Sequence, residues 1–141
     1  MAQRHLEELS RRECLALLDQ AQVGRIVYHD DVGPAAVPVN YAMADDEIVF
    51  RVEGGVKRLA MAQPVLAFEV DHIEEDQRSG WSVLARGVGE EVEIELVPDL
   101  LREMHGHIPT PWADGVHNVW LRLTPHTLTG RRLSDPAPAV S

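Results

Sequence analysis

Apolar positions near the start of the chain recur with the period of an α-helix. They follow the i, i+3, i+4, i+7 spacing of one helical face at Cys14, Leu17, Leu18 and Ala21. Ser10 stands before this run, and Glu13 follows Ser10 by three residues, which is the sequence pattern of a capping box. We therefore expect a helix that begins at Ser10 and ends near residues 20–22.

From residue 24 onwards the pattern changes to short runs of β-branched and aromatic residues separated by turn residues. These runs predict strands over 24–29, 35–41, 48–52, 65–70, 80–92, 116–123 and 128–132. The links between the first three are too short for crossovers, so those strands should form an antiparallel meander. Within 53–62 a glycine turn is expected to open a short helix, a second short helix is expected over 98–104, and a polar surface loop over 71–79. The chain is thus predicted to be mainly β, a small closed or half-open barrel of six or seven mostly antiparallel strands with two or three short helices.

Two places inside these strand patterns predict irregular backbone. Gly87 and Gly89 lie within the run 80–92, and glycines inside a strand indicate the bend or bulge that a curling barrel needs. Thr124 and Pro125 separate the last two runs. Because proline cannot donate to a sheet ladder, we expect these runs to be separate strands.

Length and composition describe one globular domain. Of 141 residues, 45% are hydrophobic and 26% charged, which suits a single core over residues 1–133 and a disordered tail over 134–141. The net charge of −10 argues against nucleic acid as a partner, because an acidic chain repels a phosphate backbone. The single cysteine permits no intrachain disulfide, and no apolar run approaches the roughly 20 residues of a membrane span. We therefore expect a cytoplasmic protein that binds neither nucleic acid nor membranes.

The segment that follows the third predicted strand has the features of an anion site. Gly54 and Gly55 come directly after the strand and permit backbone conformations with φ > 0, in which amide N–H groups converge. A helix begins near Lys57, the only lysine in the chain, and Arg58 follows it. A helix N-terminus with two cations suits a phosphate group, although a plain turn with two solvent-exposed cations would have the same sequence.

Two further segments carry polar residues in positions suited to a ligand. Asn40 ends the strand expected to pair with 48–52, and its amide can both donate and accept hydrogen bonds. Ser82 and Arg86 share one face of the run 80–92. A buried arginine needs a partner, and for Arg86 that partner could be a ligand phosphate or a carboxylate of the chain.

The order of these segments resembles the pyridoxamine 5′-phosphate oxidase-like family of flavin-binding split β-barrels. The pieces that carry the resemblance are Val23-Gly24-Arg25-Ile26, Pro38-Val39-Asn40-Tyr41, Ile48-Val49-Phe50-Arg51 with Gly55 and Lys57, Phe68-Glu69-Val70-Asp71, Trp81-Ser82-Val83 with Arg86-Gly87, and Arg122-Leu123-Thr124-Pro125. They run in the family's order from about residue 10 to 132. Each piece is short, but the ordered set is specific.

The resemblance implies a homodimer with flavin mononucleotide (FMN) in each of two interface clefts. The family's cofactor-binding positions correspond to Val39, Asn40, Tyr41, Phe50, Arg51, Val52, Lys57, Arg58, Ser82, Arg86, Trp112 and Arg122. In this scheme the two paired strands line the ring and ribityl chain, and the segment through Lys57 holds the phosphate. Ser82 and Arg86 approach from a neighbouring strand, and Trp112 and Arg122 are candidates to close the site from the second subunit.

The sequence also departs from the family's pattern. Authentic pyridoxamine 5′-phosphate oxidases carry a Phe-Trp pair soon after the Arg-Leu-x-Pro segment, where this chain has residues 128–132, Leu-Thr-Gly-Arg-Arg. Val52 and Val56 stand where the oxidases usually have threonine or serine near the phosphate. We therefore do not expect the vitamin reaction, and the Pro-rich loop around Trp112 favours a more hydrophobic small-molecule substrate.

Several functions fit these residues. The leading interpretation is an FMN-dependent oxidoreductase, in which the cofactor supplies the hydride chemistry and no side chain is assigned a catalytic role. A reductase that uses a deazaflavin coenzyme and a non-catalytic flavin-binding or sensing dimer are alternatives. A haem protein would need a ligand such as His29, His72 or His117. No metal site is expected, because two histidines in a loop, His105 and His107, fall short of the usual three or four ligands.

Overall fold

The computed structural model describes residues 5–104, 108–109 and 118–134. Their elements in chain order are β1 (His5–Leu9), α1 (Arg11–Gln20), β2 (Val23–His29), β3 (Pro34–Ala44), β4 (Glu47–Glu53), α2 (Gly54–Met61), β5 (Leu66–Glu74), β6 (Ser79–Glu91), α3 (Val97–Glu103) and β7 (Asn118–Ser134). A 3₁₀ turn over Ile94–Leu96 leads into α3.

The strands form one antiparallel sheet that closes on itself. Six of them follow one another in the order β7-β4-β3-β2-β5-β6, and β6 pairs with β7 again to complete the barrel, while β1 adds to β7. The meander of β2, β3 and β4 is present as predicted. The prediction of a mainly β split barrel with short helices is therefore confirmed.

The strand β7 runs unbroken through Thr124 and Pro125, so the prediction of two separate strands is wrong. A β-bulge explains the difference. The register with β6 shifts between Arg86, which lies opposite Thr127, and Gly87, which lies opposite Pro125. A bulge is one of the few places where a sheet accepts proline. Gly87 is required there, because a Cβ at this position would lie 1.9 Å from the carbonyl oxygen of Thr124.

Two other strand boundaries differ from the predictions. The strand β1 was not expected, although it pairs with residues 130–134 of β7. The strand β5 continues to Glu74 instead of ending at residue 70, so most of the predicted loop 71–79 is a hairpin. Its polar residues do not interrupt the strand because Asp71 faces outward and bonds Arg25. Charge on an outward face is compatible with a strand, although it resembles a loop in the sequence.

The capping box of α1 is confirmed in both directions. The backbone N–H of Glu13 donates to Ser10 Oγ at 3.1 Å, and the backbone N–H of Ser10 donates to Glu13 Oε1 at 3.0 Å. Cys14, Leu17 and Leu18 are the buried residues of this helix, in agreement with the predicted apolar face. The helix therefore covers one end of the barrel core.

Three aromatic rings fill the centre of the barrel. Phe68 lies between Tyr41 and Phe50, with ring centroids 5.3 and 5.2 Å away, and all three residues are fully buried. Tyr41 donates its hydroxyl hydrogen to the carbonyl oxygen of Leu18 at 2.5 Å, so the ring ties the barrel to α1. Burial raises the pKa of this phenol, which therefore stays neutral. Gly24 on β2 leaves the space that the Phe68 ring occupies, because a Cβ there would lie 2.2 Å from Phe68 Cε1.

We predict that Gly24→Ala destabilises the fold by about 1–3 kcal/mol, because the added methyl group overpacks a core that has no room for it. Urea unfolding of the two proteins measures the difference. The matched control is Gly55→Ala, since a Cβ at Gly55 would meet only Glu53 Oε1, at 3.9 Å. That control should be neutral or slightly stabilising, because alanine favours the helix. Equal destabilisation by the two substitutions would contradict this account.

Candidate functional site

The start of α2 has exposed backbone donors next to cationic side chains. The helix begins at Gly54, three residues before Lys57, and its N-cap residue Glu53 makes no side-chain hydrogen bond to it. The first N–H groups of a helix lack intrahelical partners, so those of α2 are available to an acceptor. The expected φ > 0 at Gly54 and Gly55 is wrong, because both belong to the helix, and Gly33 is the one described glycine in that region. The helix N-terminus, rather than a glycine loop, therefore supplies the donors.

A groove of about 820 Å³ lies between α2 and the start of β7. Its lining residues are Gly54, Lys57, Arg58, Met61, Ala62, Asn118 and Val119. Lys57 Nζ lies 3.2 Å from Glu91 Oε2 at the end of β6, whereas Arg58 is exposed. The structure thus brings the two predicted phosphate-binding cations to one groove, which we call the α2 groove.

Arg51, on the strand that leads into α2, carries an unsatisfied donor, although it does not itself line this groove. Its guanidinium carbon lies 5.0 Å from the centroid of the Trp120 ring, a cation–π contact across the ladder between β4 and β7. Its Nε is buried and has no hydrogen-bond partner among the described residues. Two pairs along the ladder from Arg51 and Trp120, Glu53 lies opposite Asn118, and Asn118 lines the α2 groove. A buried donor without an acceptor is costly, so this position suits an acceptor group from a ligand.

Four predicted site residues point away from any ligand. Val39, Tyr41, Phe50 and Val52 are buried in the barrel core. Their side chains support the strands from inside, and only their backbone could contribute to a site. Asn40, one residue from two of them, lies on the outward side of β3 opposite Val23. Because side chains alternate between the two faces of a strand, the nine candidate site residues on the described barrel strands fall into an inner and an outer group.

Ser82 and Arg86 line a second groove, of about 710 Å³, on the outer face of β6 and β7. Glu69 and Thr129 line it as well. Arg86 is exposed rather than buried, and it makes no ion pair with a described residue, so the expectation that it needs a partner within an apolar strand is wrong. This β6 groove contains no residue of α2. Within one chain, Ser82 and Arg86 are therefore not part of the α2 groove.

The last two predicted positions lie elsewhere. Arg122 Nε is 3.4 Å from Glu47 Oε2, and the same carboxylate oxygen accepts a hydrogen bond from Thr124 Oγ1 at 2.9 Å. Arg122 thus has a carboxylate partner on the barrel surface. Trp112 lies outside the described residues, as do His105, His107, His117 and residues 135–141 of the predicted tail.

A carboxyl pair on β5, Glu69 in the β6 groove and Asp71 in the neighbouring groove, was not singled out by the sequence analysis. Arg25 Nη1 donates to Glu69 Oε1 at 3.1 Å and to Asp71 Oδ2 at 3.2 Å. Burial, together with a hydrogen bond and repulsion from Asp71, raises the pKa of Glu69 to about 7 despite the nearby arginine. The signal in the sequence is two carboxylates at i and i+2 with an apolar residue between, which places both on one face of a strand.

Comparison with known proteins identifies the family. Residues 10–132 match the family model described as pyridoxamine 5′-phosphate oxidase. The chain belongs to the pyridoxamine 5′-phosphate oxidase family. The match covers the barrel from α1 to within two residues of the end of β7 and leaves out β1.

Three relatives of this family member span nearly the same length. The uncharacterized protein Rv0080 of Mycobacterium tuberculosis is 31% identical over 137 residues, covering 92% of this chain and 87% of its own. The solved structure of an FAD-binding protein from Mycobacterium smegmatis is 28% identical, with a TM-score of 0.67 and coverage of 91% of this chain and 98% of its own. An FAD-binding protein from Mesorhizobium loti has a TM-score of 0.73 at 24% identity, with coverage of 90% and 97%, and shows the same fold.

Two further observations bear on this family member's chemistry. Among the described residues, no three histidine, cysteine, aspartate or glutamate side chains converge as a metal ion would require. None of the described helices has both the length and the apolar composition needed to span a bilayer.

We predict that Glu69 makes stability depend on pH. Between its ordinary pKa of 4.5 and about 7, folded Glu69 retains a proton that the unfolded chain has released. The stabilisation of the folded state by this proton on Glu69 is therefore fully present below pH 4.5 and is lost as the pH rises to about 7. The free energy of unfolding of the wild type, minus that of Glu69→Gln, should decrease across this window.

Denaturant unfolding at several pH values measures this difference. Glu75→Gln makes the same chemical change at an exposed position on the β5–β6 turn and serves as the control. Parallel pH curves for the wild type and Glu69→Gln would show that Glu69 holds no such proton.

Proposed function

We propose that this member of the family binds FMN, with the phosphate in the α2 groove, and works as a flavin-dependent oxidoreductase on a small, hydrophobic substrate. The observation that carries the proposal is the buried Nε of Arg51, which has no partner among the described residues and lies two ladder pairs from a groove with Lys57 and the uncapped start of α2. These groups are donors or cations on two consecutive elements, β4 and α2. An anionic ligand rich in acceptors satisfies all of them.

Each group has a distinct role in this scheme. The α2 amides and Lys57 hold the phosphate through charge-assisted hydrogen bonds. Arg51, in cation–π contact with Trp120, donates Nε–H to an acceptor of the ligand. The buried side chains of Phe50 and Val52 fix the strand that presents Arg51. A bound flavin would supply the hydride chemistry, so the protein's part is to bind and orient it.

Flavin binding is also supported by a relative. The Mycobacterium smegmatis protein that is 28% identical over most of the chain is an FAD-binding protein. FMN and FAD share the isoalloxazine ring, the ribityl chain and the first phosphate, so the groups above suit that common part. FMN remains our proposal because this is the part for which the α2 groove has named partners.

The proposed assembly is a homodimer in which a second copy completes each site. Ser82 and Arg86 lie in a groove separate from Lys57, so a shared ligand would reach both sets only across an interface. A neighbouring groove of about 590 Å³ is lined by the exposed apolar residues Leu6 and Ile73 together with Trp81. Trp81 therefore suits an interface anchor. Trp120, a second candidate anchor, is partly buried beneath Arg51 and against the small core around Val49.

We do not expect this protein to oxidise pyridoxamine 5′-phosphate efficiently. The segment that replaces the family's Phe-Trp pair belongs to β7, where Arg131 and Arg132 face opposite sides. Arg131 lines the β6 groove, and Arg132 turns towards Glu13, with Nη1 and Oε2 4.0 Å apart. The two arginines thus do not form one cationic cluster for a substrate phosphate.

We predict that Lys57→Ala weakens FMN binding about 10- to 100-fold, since a charge-assisted hydrogen bond contributes roughly 1.5–3 kcal/mol. Fluorescence titration with FMN and with riboflavin measures this, and the riboflavin affinity should hardly change because it has no phosphate. Arg12→Ala on the exposed face of α1 removes the same charge elsewhere and is the control. Unchanged FMN affinity in Lys57→Ala would remove Lys57 from the site.

The visible spectrum of the protein as purified tests the class of cofactor. A flavin gives two bands, a deazaflavin one band near the violet, and haem a strong Soret band. A protein that takes up none of the flavins on titration would overturn the proposed function. Binding of FAD or a deazaflavin in place of FMN would correct the cofactor but not the groove.

We predict a dimer at micromolar concentration in sedimentation experiments. Ile73→Glu should weaken dimerisation at least about tenfold, because an unpaired carboxylate would be buried in the interface. Val32→Glu makes the same change at a fully exposed turn residue and should have no effect. A wild-type monomer that still binds flavin would refute the shared site.

A further inference from the structure

The cation assigned to the phosphate is already paired within the chain. Lys57 Nζ lies 3.2 Å from Glu91 Oε2, with the two side chains 33% and 42% exposed. Glu91 is the last residue of β6 and lies opposite Leu121 on β7. The bulge at Gly87 sets the register of this part of the ladder, so the barrel itself places the carboxylate next to α2.

The Glu91 carboxylate lies against Lys57, although it is not among the residues that line the α2 groove. The remaining residues that line the α2 groove are apolar, neutral or cationic. Glu53, at the N-cap of α2, adds a second carboxylate near the helix start, where it would lie 3.9 Å from a Cβ at Gly55. A ligand phosphate therefore approaches an ammonium group whose charge is already compensated.

The strength of this pair decides what a ligand can do. An ion pair between partly exposed side chains is weak, because water screens both charges. A phosphate with a charge near −2 that also accepts hydrogen bonds from the α2 amides interacts more strongly with the same ammonium. The phosphate can thus take the place of Glu91, whereas a neutral ligand cannot.

We propose that Glu91 is a specificity-determining residue that competes with the ligand phosphate for Lys57. The inference rests on the proposed FMN site. It implies that Glu91 lowers the affinity for every phosphorylated ligand of the α2 groove, keeps Lys57 paired when no phosphate is bound, and leaves the binding of riboflavin unchanged.

The experiment compares FMN and riboflavin titrations of the wild type, Glu91→Gln and Glu95→Gln. Glu95 is an exposed carboxylate four residues further on, so the last variant changes the net charge equally. Glu91→Gln should bind FMN about 2- to 10-fold more tightly, with riboflavin unaffected, and Glu95→Gln should match the wild type. Glu91→Asp, whose shorter side chain retains the charge, should lie between the wild type and Glu91→Gln.

A double-mutant cycle separates competition for Lys57 from a general charge effect. In a Lys57→Ala background, Glu91→Gln should no longer tighten FMN binding, because no ammonium remains to compete for. Equal tightening in both backgrounds, unchanged affinity in Glu91→Gln, or weaker binding would overturn the inference while the flavin site stands. Absence of FMN binding by the wild type would instead remove the proposed function on which the inference rests.

Discussion

The pairing of β7 with β4 on one edge and with β6 on the other is the constraint on which the rest of this structure depends. Residues 118–123 of β7 pair with β4, and residues 121–133 pair with β6 apart from the bulge. This closure encloses the aromatic core, and it also brings Trp120 next to Arg51 and Asn118 next to the start of α2. The candidate site is thus made of residues that are distant in sequence and adjacent only in a closed barrel.

Charge pairing is the second feature that shapes the site. The chain carries a net charge of −10, and several of its cations are paired with carboxylates: Lys57 with Glu91, Arg122 with Glu47, and Arg25 with Glu69 and Asp71. On our proposal, an anionic ligand binds at Lys57 by exchange, because it replaces a carboxylate that was already there. Affinity for a phosphate is then a difference between two interactions with the same cation.

Local sequence signals predicted the parts of the fold that depend on neighbouring residues. The capping box at Ser10, the meander and the bulge at Gly87 all follow from short patterns whose chemistry is complete within a few residues. The strand β1 and the continuity of β7 through Pro125 depend on pairing between distant segments, which no local pattern contains. The same reason explains why Asp71 was assigned to a loop, since its partner Arg25 is remote in sequence.

The site could be predicted as a set of segments but not as an arrangement of side chains. Lys57 and Arg58 share a groove, as their position after a strand suggested. Phe50 and Val52 alternate with Arg51 along β4. Only the closed barrel shows that Arg51 faces outward while its two neighbours fill the core. Glu91 was not predicted, because it is one of several carboxylates in residues 90–95 and the sequence does not show which of them lies beside the lysine.

The strand β1 has a consequence for the chain's behaviour in concentrated solution. Among the described strands, β1 alone is bonded on one side, so its outer edge is the barrel's open ladder. An open ladder invites another chain to add a strand, and natural proteins discourage this with short, charged edges. With five residues that include Glu7 and Glu8, β1 repels an identical edge, and its removal would leave the longer edge of β7 open to aggregation.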